Sequence, residues 1–276
     1  MSYKSSGFLP YFVGTTYLVA LYFVTFVYGM FMYIVGAISP KALHFIQGIC
    51  NMSVARMILF SAGIKMFRSG YEHIVAMENK SYLLVSNHVT TLDPPILIVG
   101  MQKSNYRLVY SLRATAKVPF IGKLVGAAFD SMGWISIKHD ENDSTALKRV
   151  INVARSDIKK HGHTQLAIFP EGIRTEDGKI NNFQRGPFFL SLFLQIPIIP
   201  VLMQGVYSIH RHQTFVVNPG DVTVKVLEPV YPPKIDKKNL RKQAETFQAQ
   251  VEKFYKELPN INTDAHAYKK KHETTT

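Results

Sequence analysis

Cysteine is almost absent from this 276-residue chain, with Cys50 the only one. A lone thiol excludes an internal disulfide and any cysteine-rich metal site. Its apolar surroundings suit an inert buried thiol rather than a nucleophile. Acidic side chains are scarce as well, 19 against 32 lysines and arginines, giving a formal net charge of +13 and a pI near 9.7. That imbalance implies an anionic partner. Nucleic acid is disfavoured, because zinc-finger spacing, RNA-binding signatures and a heptad-linked basic region are all missing. Anionic lipid and phosphorylated substrates are left. Internal repeats and low-complexity linkers are also lacking, which points to one α/β-sized domain plus an appendage.

Charge is missing altogether between Lys4 and Lys41, and Tyr17 to Ile34 is almost unbroken apolar and aromatic sequence. No small-residue cleavage site follows it, so the stretch reads as a retained membrane segment and not as a secretory signal. As one straight helix it would exceed the roughly 30 Å of a bilayer core. Pro10 with Gly14, and Gly36 with Pro40, are therefore the expected ends, with Gly29 a possible bend. Ala42 to Phe67 continues the apolar character but carries His44, Arg56 and Lys65, a pattern suited to an interfacial or half-inserted helix. The expected organisation is membrane-embedded helices over 1–70, an α/β domain over 71–258 and a polar basic tail over 259–276. The protein is accordingly expected to be integral to a membrane or deeply embedded in one.

Beyond this region, short apolar strands alternate with helical stretches, the mark of an α/β fold with a central, mostly parallel sheet flanked by helices. The expected strands are Tyr82 to Ser86, Arg107 to Ser111, Trp134 to Lys138, Gln165 to Phe169 and Ile198 to Met203, with a later half-exposed one through Val222, Val224 and Val226. Asp143 and Ser144 are the expected cap of a helix with Leu147, Val150, Ile151, Ala154 and Ile158 on its apolar face. Asp236 is expected to open another, with Leu240, Ala244, Phe247, Val251, Phe254 and Leu258 on one side.

The first expected strand runs into Asn87, His88 and, five residues after the histidine, Asp93, Pro94 and Pro95. On a continuous helix that spacing turns through about 500°, leaving the two side chains roughly 140° apart. A turn must therefore bring them together, with Asp93 and its prolines starting the next helix. Such a pair suits a general base, an imidazole whose tautomer and charge a carboxylate controls. Alone, it also reads as a histidine beside a helix N-cap. The turn after Gln165 to Phe169 carries Pro170, Glu171, Gly172, Ile173, Arg174 and Thr175. Arg174 offers a planar fork for phosphate, or an ordinary surface ion pair with Glu171 or Glu176. Lys138, taken singly, is a strand-end lysine.

Together and in this order, these blocks resemble the glycerophospholipid acyltransferase family, in particular its 1-acyl-glycerol-3-phosphate (lysophosphatidate) acyltransferases. Asn87, His88 and Asp93 are similar to the histidine-x4-aspartate block, and Gly133 to Lys138 to the second block. Phe169, Pro170, Glu171, Gly172, Arg174 and Thr175 resemble the third, and Ile196, Pro197, Ile198, Pro200 and Val201 the fourth. Lys117, Val118, Pro119, Phe120 and Gly122 resemble a segment between the first two. Two positions depart from the pattern, Lys138 for arginine and Ile173 for threonine.

The resemblance implies that His88 is the general base and Asp93 its orienting carboxylate, and that Arg174 and Lys138 bind the acceptor phosphate. It places Glu171 and Gly172 in the same acceptor site. It implies acyl transfer from acyl-CoA or acyl-carrier protein, as co-substrate, to lysophosphatidate among membrane lipids, with no cofactor and no metal. Another lysophospholipid or glycerol phosphate is the alternative acceptor. Three other readings compete. Ser86 could be a hydrolase nucleophile, although no glycine-flanked elbow surrounds it. The pairs His161 with His163 and His210 with His212 could bind metal, but their polar, loop-like settings suit solvated histidines. A membrane-anchored lipid binder without turnover would have no need of a general base.

Overall fold

The computed structural model describes residues 8–102, 106–111, 129–130, 133–137, 142–211, 214 and 216–256, apart from the side chains at 8–15, 18, 21, 22, 25, 40, 41, 43–45 and 111. Lys138, His212, the segment resembling 117–122 and the tail from 259 lie outside it.

Two long helices come first. The uncharged run forms α1 (Phe8–Ile38), followed by α2 (Pro40–Ser61). Ser39 divides them: its side chain accepts from the Ala42 amide at 3.2 Å, and Pro40 takes the first helical position, where a missing amide costs nothing. Pro10 lies in the first turn of α1 for the same reason, and Gly14, Gly29 and Gly36 continue the helix rather than end it. The helices run antiparallel. Tyr17 donates to the Ile58 carbonyl at 2.9 Å, and Tyr28 to Asn51 at 2.5 Å. Among the described residues, no helix is long and apolar enough to cross a membrane.

The stretch from Ala42 to Phe67 is not the single helix expected. Gly63, with φ +66, turns the chain out of α2 and into strand β1 (Ile64–Ser69). That backbone region favours glycine, so the turn is encoded there, while the short apolar run after it does not distinguish strand from helix by periodicity. The sheet thus begins inside the stretch assigned to the membrane region.

After α3 (Glu72–Val75) come β2 (Tyr82–Ser86), α4 (Asp93–Gly100), β3 (Arg107–Ser111), β4 (Ile135–Ile137) and α5 (Asp143–His161). These are followed by β5 (Gln165–Ile168), α6 (Gly186–Leu194), β6 (Ile198–Gln204), α7 (Val206–Ile209), β7 (Gly220–Val226) and α8 (Leu240–Lys256). Asn142, one residue before the expected cap, holds the Thr145 amide at 2.8 Å and starts α5. Asp236 does not open α8; it accepts from Lys238 and Asn239 in the turn ahead of it.

The seven strands among the described residues lie in the order β1-β7-β6-β2-β5-β3-β4, parallel at every join except β6 with β7. One face packs on α2 and α4 through Leu84, Ile96, Leu97 and Leu59. The other packs on α5, α6 and α8 through Leu83, Val85, Ala154, Phe188 and Phe247. From the adjacent strands β2 and β5 the chain departs to opposite faces, into α4 and α6 respectively. Such a switch point opens a crevice beyond the carboxyl ends of the strands.

Strands β2 and β6, in register through Ser86 with Val201, are joined by side chains at that same edge. The Tyr255 hydroxyl stands between them, accepting from Val201 N at 3.2 Å and donating to the Val85 carbonyl at 2.5 Å. One step further, the Asn87 carboxamide exchanges two bonds with the Met203 backbone, at 3.0 and 2.8 Å. Side chains thus satisfy buried backbone groups at the carboxyl end of the β2–β6 pair.

Candidate active site

The crevice is lined by the loop from β2 to α4 and the loop from β5 to α6. In the first, the chain reverses between His88 and Asp93, as their spacing requires. His88 Nδ1 lies 2.7 Å from Asp93 Oδ2. The same oxygen accepts the amides of Val89, at 2.5 Å, and Thr90, at 2.9 Å. Asp93 is fully buried and His88 one-fifth exposed. An ionised carboxylate only accepts, so Nδ1 carries the imidazole proton and Nε2 presents its lone pair to the crevice. Asp93 is therefore more than an N-terminal helix residue, because it sets the tautomer.

The second loop holds His88 at three further points. Glu171 Oε1 accepts the His88 amide at 2.7 Å, and the His88 carbonyl accepts from Thr175 N at 3.0 Å. The Phe169 ring stacks on the imidazole, centroids 4.2 Å apart and planes 12° apart. This loop owes its shape to local sequence. Pro170 and Glu171 form a tight turn closed from Gly172 N to the Phe169 carbonyl at 3.2 Å. Gly172 then takes φ +71, which a side chain would strain.

Glu171 uses its second oxygen on the Asn181 amide, at 2.7 Å. Burial raises its pKa to about 7, against the lowering effect of the two amide bonds. With both oxygens engaged, it braces the histidine from behind, and the alternative Glu171–Arg174 pair is not formed. Arg174 is half-buried on the same loop and makes no ion pair among the described residues. Its charge reaches the neighbouring His210, whose pKa is lowered chiefly by burial and also by Arg174. Ile173, beside it, is exposed.

Other expectations meet the geometry differently. Ser86 is fully buried and its hydroxyl faces the Asn87 carbonyl, so it does not address the imidazole as a nucleophile. His210 is not the solvated loop histidine expected; it is 5% exposed and bonded to Thr90 and to the Thr214 carbonyl. Burial of a histidine in a polar loop has no local sequence signal, because a partner such as Thr90 comes from a distant part of the chain. Among the described residues, no group of three histidine, cysteine or acidic side chains is placed to hold a metal ion.

The acyltransferase family profile matches residues 65–204, a stretch that starts in β1 and takes in both loops. The chain belongs to the acyltransferase family. Similar proteins include a 1-acyl-sn-glycerol-3-phosphate acyltransferase of Limnanthes douglasii, 28% identical over 185 residues, which are 64% of this chain and 58% of that protein. The alpha form of the same-named enzyme from Mus musculus is 29% identical over 187 residues, 65% of this chain and 61% of that one. The chain thus spans less than two thirds of the length of these relatives. The crystal structure of a 1-acyl-sn-glycerophosphate acyltransferase from Thermotoga maritima shares the fold, with TM-score 0.65 at 21% identity over 89% of this chain and 96% of the other. Family membership accounts for both loops lying inside the matched stretch.

Proposed function

We propose that this chain transfers a fatty acyl group from an acyl thioester, acyl-CoA or acyl-carrier protein, to the free hydroxyl of lysophosphatidate, giving phosphatidate. The observation that carries the reading is the His88–Asp93 pair with Nδ1 committed to Asp93 and Nε2 open to the crevice. Nε2 takes the acceptor hydroxyl proton as the oxygen attacks the thioester carbonyl. Collapse of the tetrahedral adduct breaks the carbon–sulfur bond, and the imidazolium returns its proton to the leaving thiolate. Buried Asp93 stabilises the transient imidazolium. No acyl-enzyme forms, and no cofactor takes part. The names of the relatives above support the acceptor assignment, as does Arg174, a cation without a carboxylate partner among the described residues, on the same rim and suited to a phosphate. Lys138 is proposed as a second phosphate ligand on the strength of sequence resemblance.

We further propose that the helical hairpin is embedded in the membrane that holds the acceptor. Val19, Phe23, Val27 and Phe31 recur every fourth residue along α1 and are about half or more exposed, with Ile34 and Ile38 continuing the stripe. Phe60, 87% exposed, adds to the apolar surface on α2. An uncharged stripe of this kind is unfavourable in water and favourable in lipid.

The test is acyl transfer by detergent-solubilised protein, with labelled acyl-CoA or acyl-carrier protein and a panel of lysophospholipids plus glycerol phosphate. Transfer to lysophosphatidate by the wild type, lost in His88→Ala, is expected. Preference for another acceptor would overturn the substrate assignment, and transfer to none would leave a lipid binder.

A further inference from the structure

We infer that His210, which lies outside all four resembling blocks, is a positioning residue that fixes the turn between His88 and Asp93 through the hydroxyl of Thr90. The inference rests on the reading of His88 as general base and adds a third strand end to the machinery. His210 follows α7, directly after β6, and so reaches the crevice from the side of β2 opposite to β5.

Its hydrogen bonds determine its protonation. Nε2 lies 3.0 Å from the Thr214 carbonyl, which only accepts, so Nε2 bears a proton. Burial chiefly, with the charge of Arg174, holds the ring's pKa below its ordinary value against the raising effects of the Thr214 carbonyl bond and, less strongly, of Asp93. The neutral ring then offers Nδ1 as an acceptor, and the Thr90 hydroxyl is hydrogen-bonded to it. Thr90 is fully buried, so this hydroxyl has no recourse to bulk water.

The backbone of Thr90 is where the catalytic turn closes. Its amide donates to Asp93 Oδ2 at 2.9 Å, and its carbonyl accepts from the Asp93 amide at 3.3 Å. The residue that shapes the Asp93 carboxylate is thus anchored by its side chain to His210. His210 is itself held, its amide donating to the Val206 carbonyl at 3.1 Å, while Asn218 N donates to the adjacent Ile209 carbonyl at 2.8 Å. A turn that can shift at Thr90 lets the carboxylate leave the imidazole. The rate of chemistry then falls while phosphate binding at Arg174 is retained.

Two replacements separate the bonds of His210. In His210→Asn the side-chain oxygen falls near the former Nδ1 and keeps an acceptor for Thr90, whereas His210→Gln places its polar group near the former Nε2 and leaves the Thr90 hydroxyl unpartnered. Steady-state kinetics on these two, beside wild type and His88→Ala, with lysophosphatidate and acyl-CoA, is the experiment. The expected result is a kcat lowered about tenfold in His210→Gln, much less in His210→Asn, with acceptor KM within about twofold in both. Equal kcat in all three, or a raised KM with kcat intact, overturns the inference. If the His210 variants do not fold, Thr90→Val against Thr90→Ser asks the same question from the other partner. The valine form is expected to lose about tenfold in kcat and the serine form to recover most of it. No difference between those two overturns the inference as well. An inactive wild type would instead overturn the proposed activity, and an active His88→Ala the assignment of the base.

Discussion

The crevice and the helical hairpin solve opposite problems with the same chain. At the crevice, buried polar groups bond to one another: Asp93 Oδ2 gathers His88 Nδ1 and two amides, and Glu171 gathers two amides more. On the hairpin, large apolar side chains such as Phe23 and Phe60 stand exposed. A site whose dipoles are already arranged needs no reorganisation when charge develops in it, which is the condition for electrostatic catalysis. A surface left apolar is complete only against another apolar phase. In the proposed reading, the difference separates chemistry, set by internal hydrogen bonds, from delivery, set by an external partner.

The largest effect expected tests the crevice. His88→Ala is expected to lower kcat by about 10²- to 10⁴-fold, the usual contribution of a positioned acid–base group, with protein fold retained by circular dichroism. Asp93→Asn is expected to follow it closely, because the carboxamide no longer commits the proton to Nδ1. A fall of less than threefold in either would remove the pair from the chemistry.

Next comes the rim. Arg174→Ala is expected to raise acceptor KM about 10- to 100-fold and to leave kcat nearly unchanged, as loss of a charged hydrogen bond to phosphate would do. An unchanged KM in initial-rate measurements would free Arg174 from the phosphate role.

The hairpin gives a smaller change. Phe23→Ser is expected to weaken partitioning into anionic phospholipid vesicles by about tenfold, since it removes part of the ~2 kcal/mol that burial of a phenylalanine contributes. Activity in detergent should not move. Cosedimentation with vesicles measures the first and the acyl-transfer assay the second; a fall in both would tie the hairpin to the chemistry and erase the contrast.

The finest test concerns Glu171, whose pKa is raised from 4.5 to about 7. The folded protein binds this proton more tightly than the unfolded chain does, so the stability it supplies is full below about pH 4.5 and is lost as pH rises through about 7. Activity runs in the other direction, because the ionised carboxylate is the better acceptor for the amides of His88 and Asn181. Glu171→Gln, measured from pH 5 to 9, is expected to flatten the stability change across that window and to cost a few-fold in kcat at alkaline pH. A variant with the wild-type profile of thermal midpoint against pH would show that Glu171 does not titrate there.

Much of this is legible in the sequence. The spacing from His88 to Asp93 forbids a helix and demands a turn; Asp93-Pro94-Pro95 marks the helix start, and the alternation of strand and helix predicts the parallel sheet. Strand β1 was hidden because a six-residue apolar segment after a helix has no periodicity of its own. Arg174 was recognisable as a candidate for phosphate. The role of Glu171 was not, because which side of the histidine it occupies depends on how far the β5 loop folds back. His210 was misread for the same reason.

By itself, the sequence determined the elements and the residue types of the reaction, because turns, caps and strand alternation are local properties of the chain. Tertiary structure decided what those residues do together. Only the adjacency of β2, β5 and β6 brings Phe169, Glu171 and Thr175 onto His88 and sets His210 beneath Thr90, contacts between segments more than 80 residues apart. Hydrogen-bond geometry across such separations is fixed by packing of the sheet and its helices, and no local pattern encodes it.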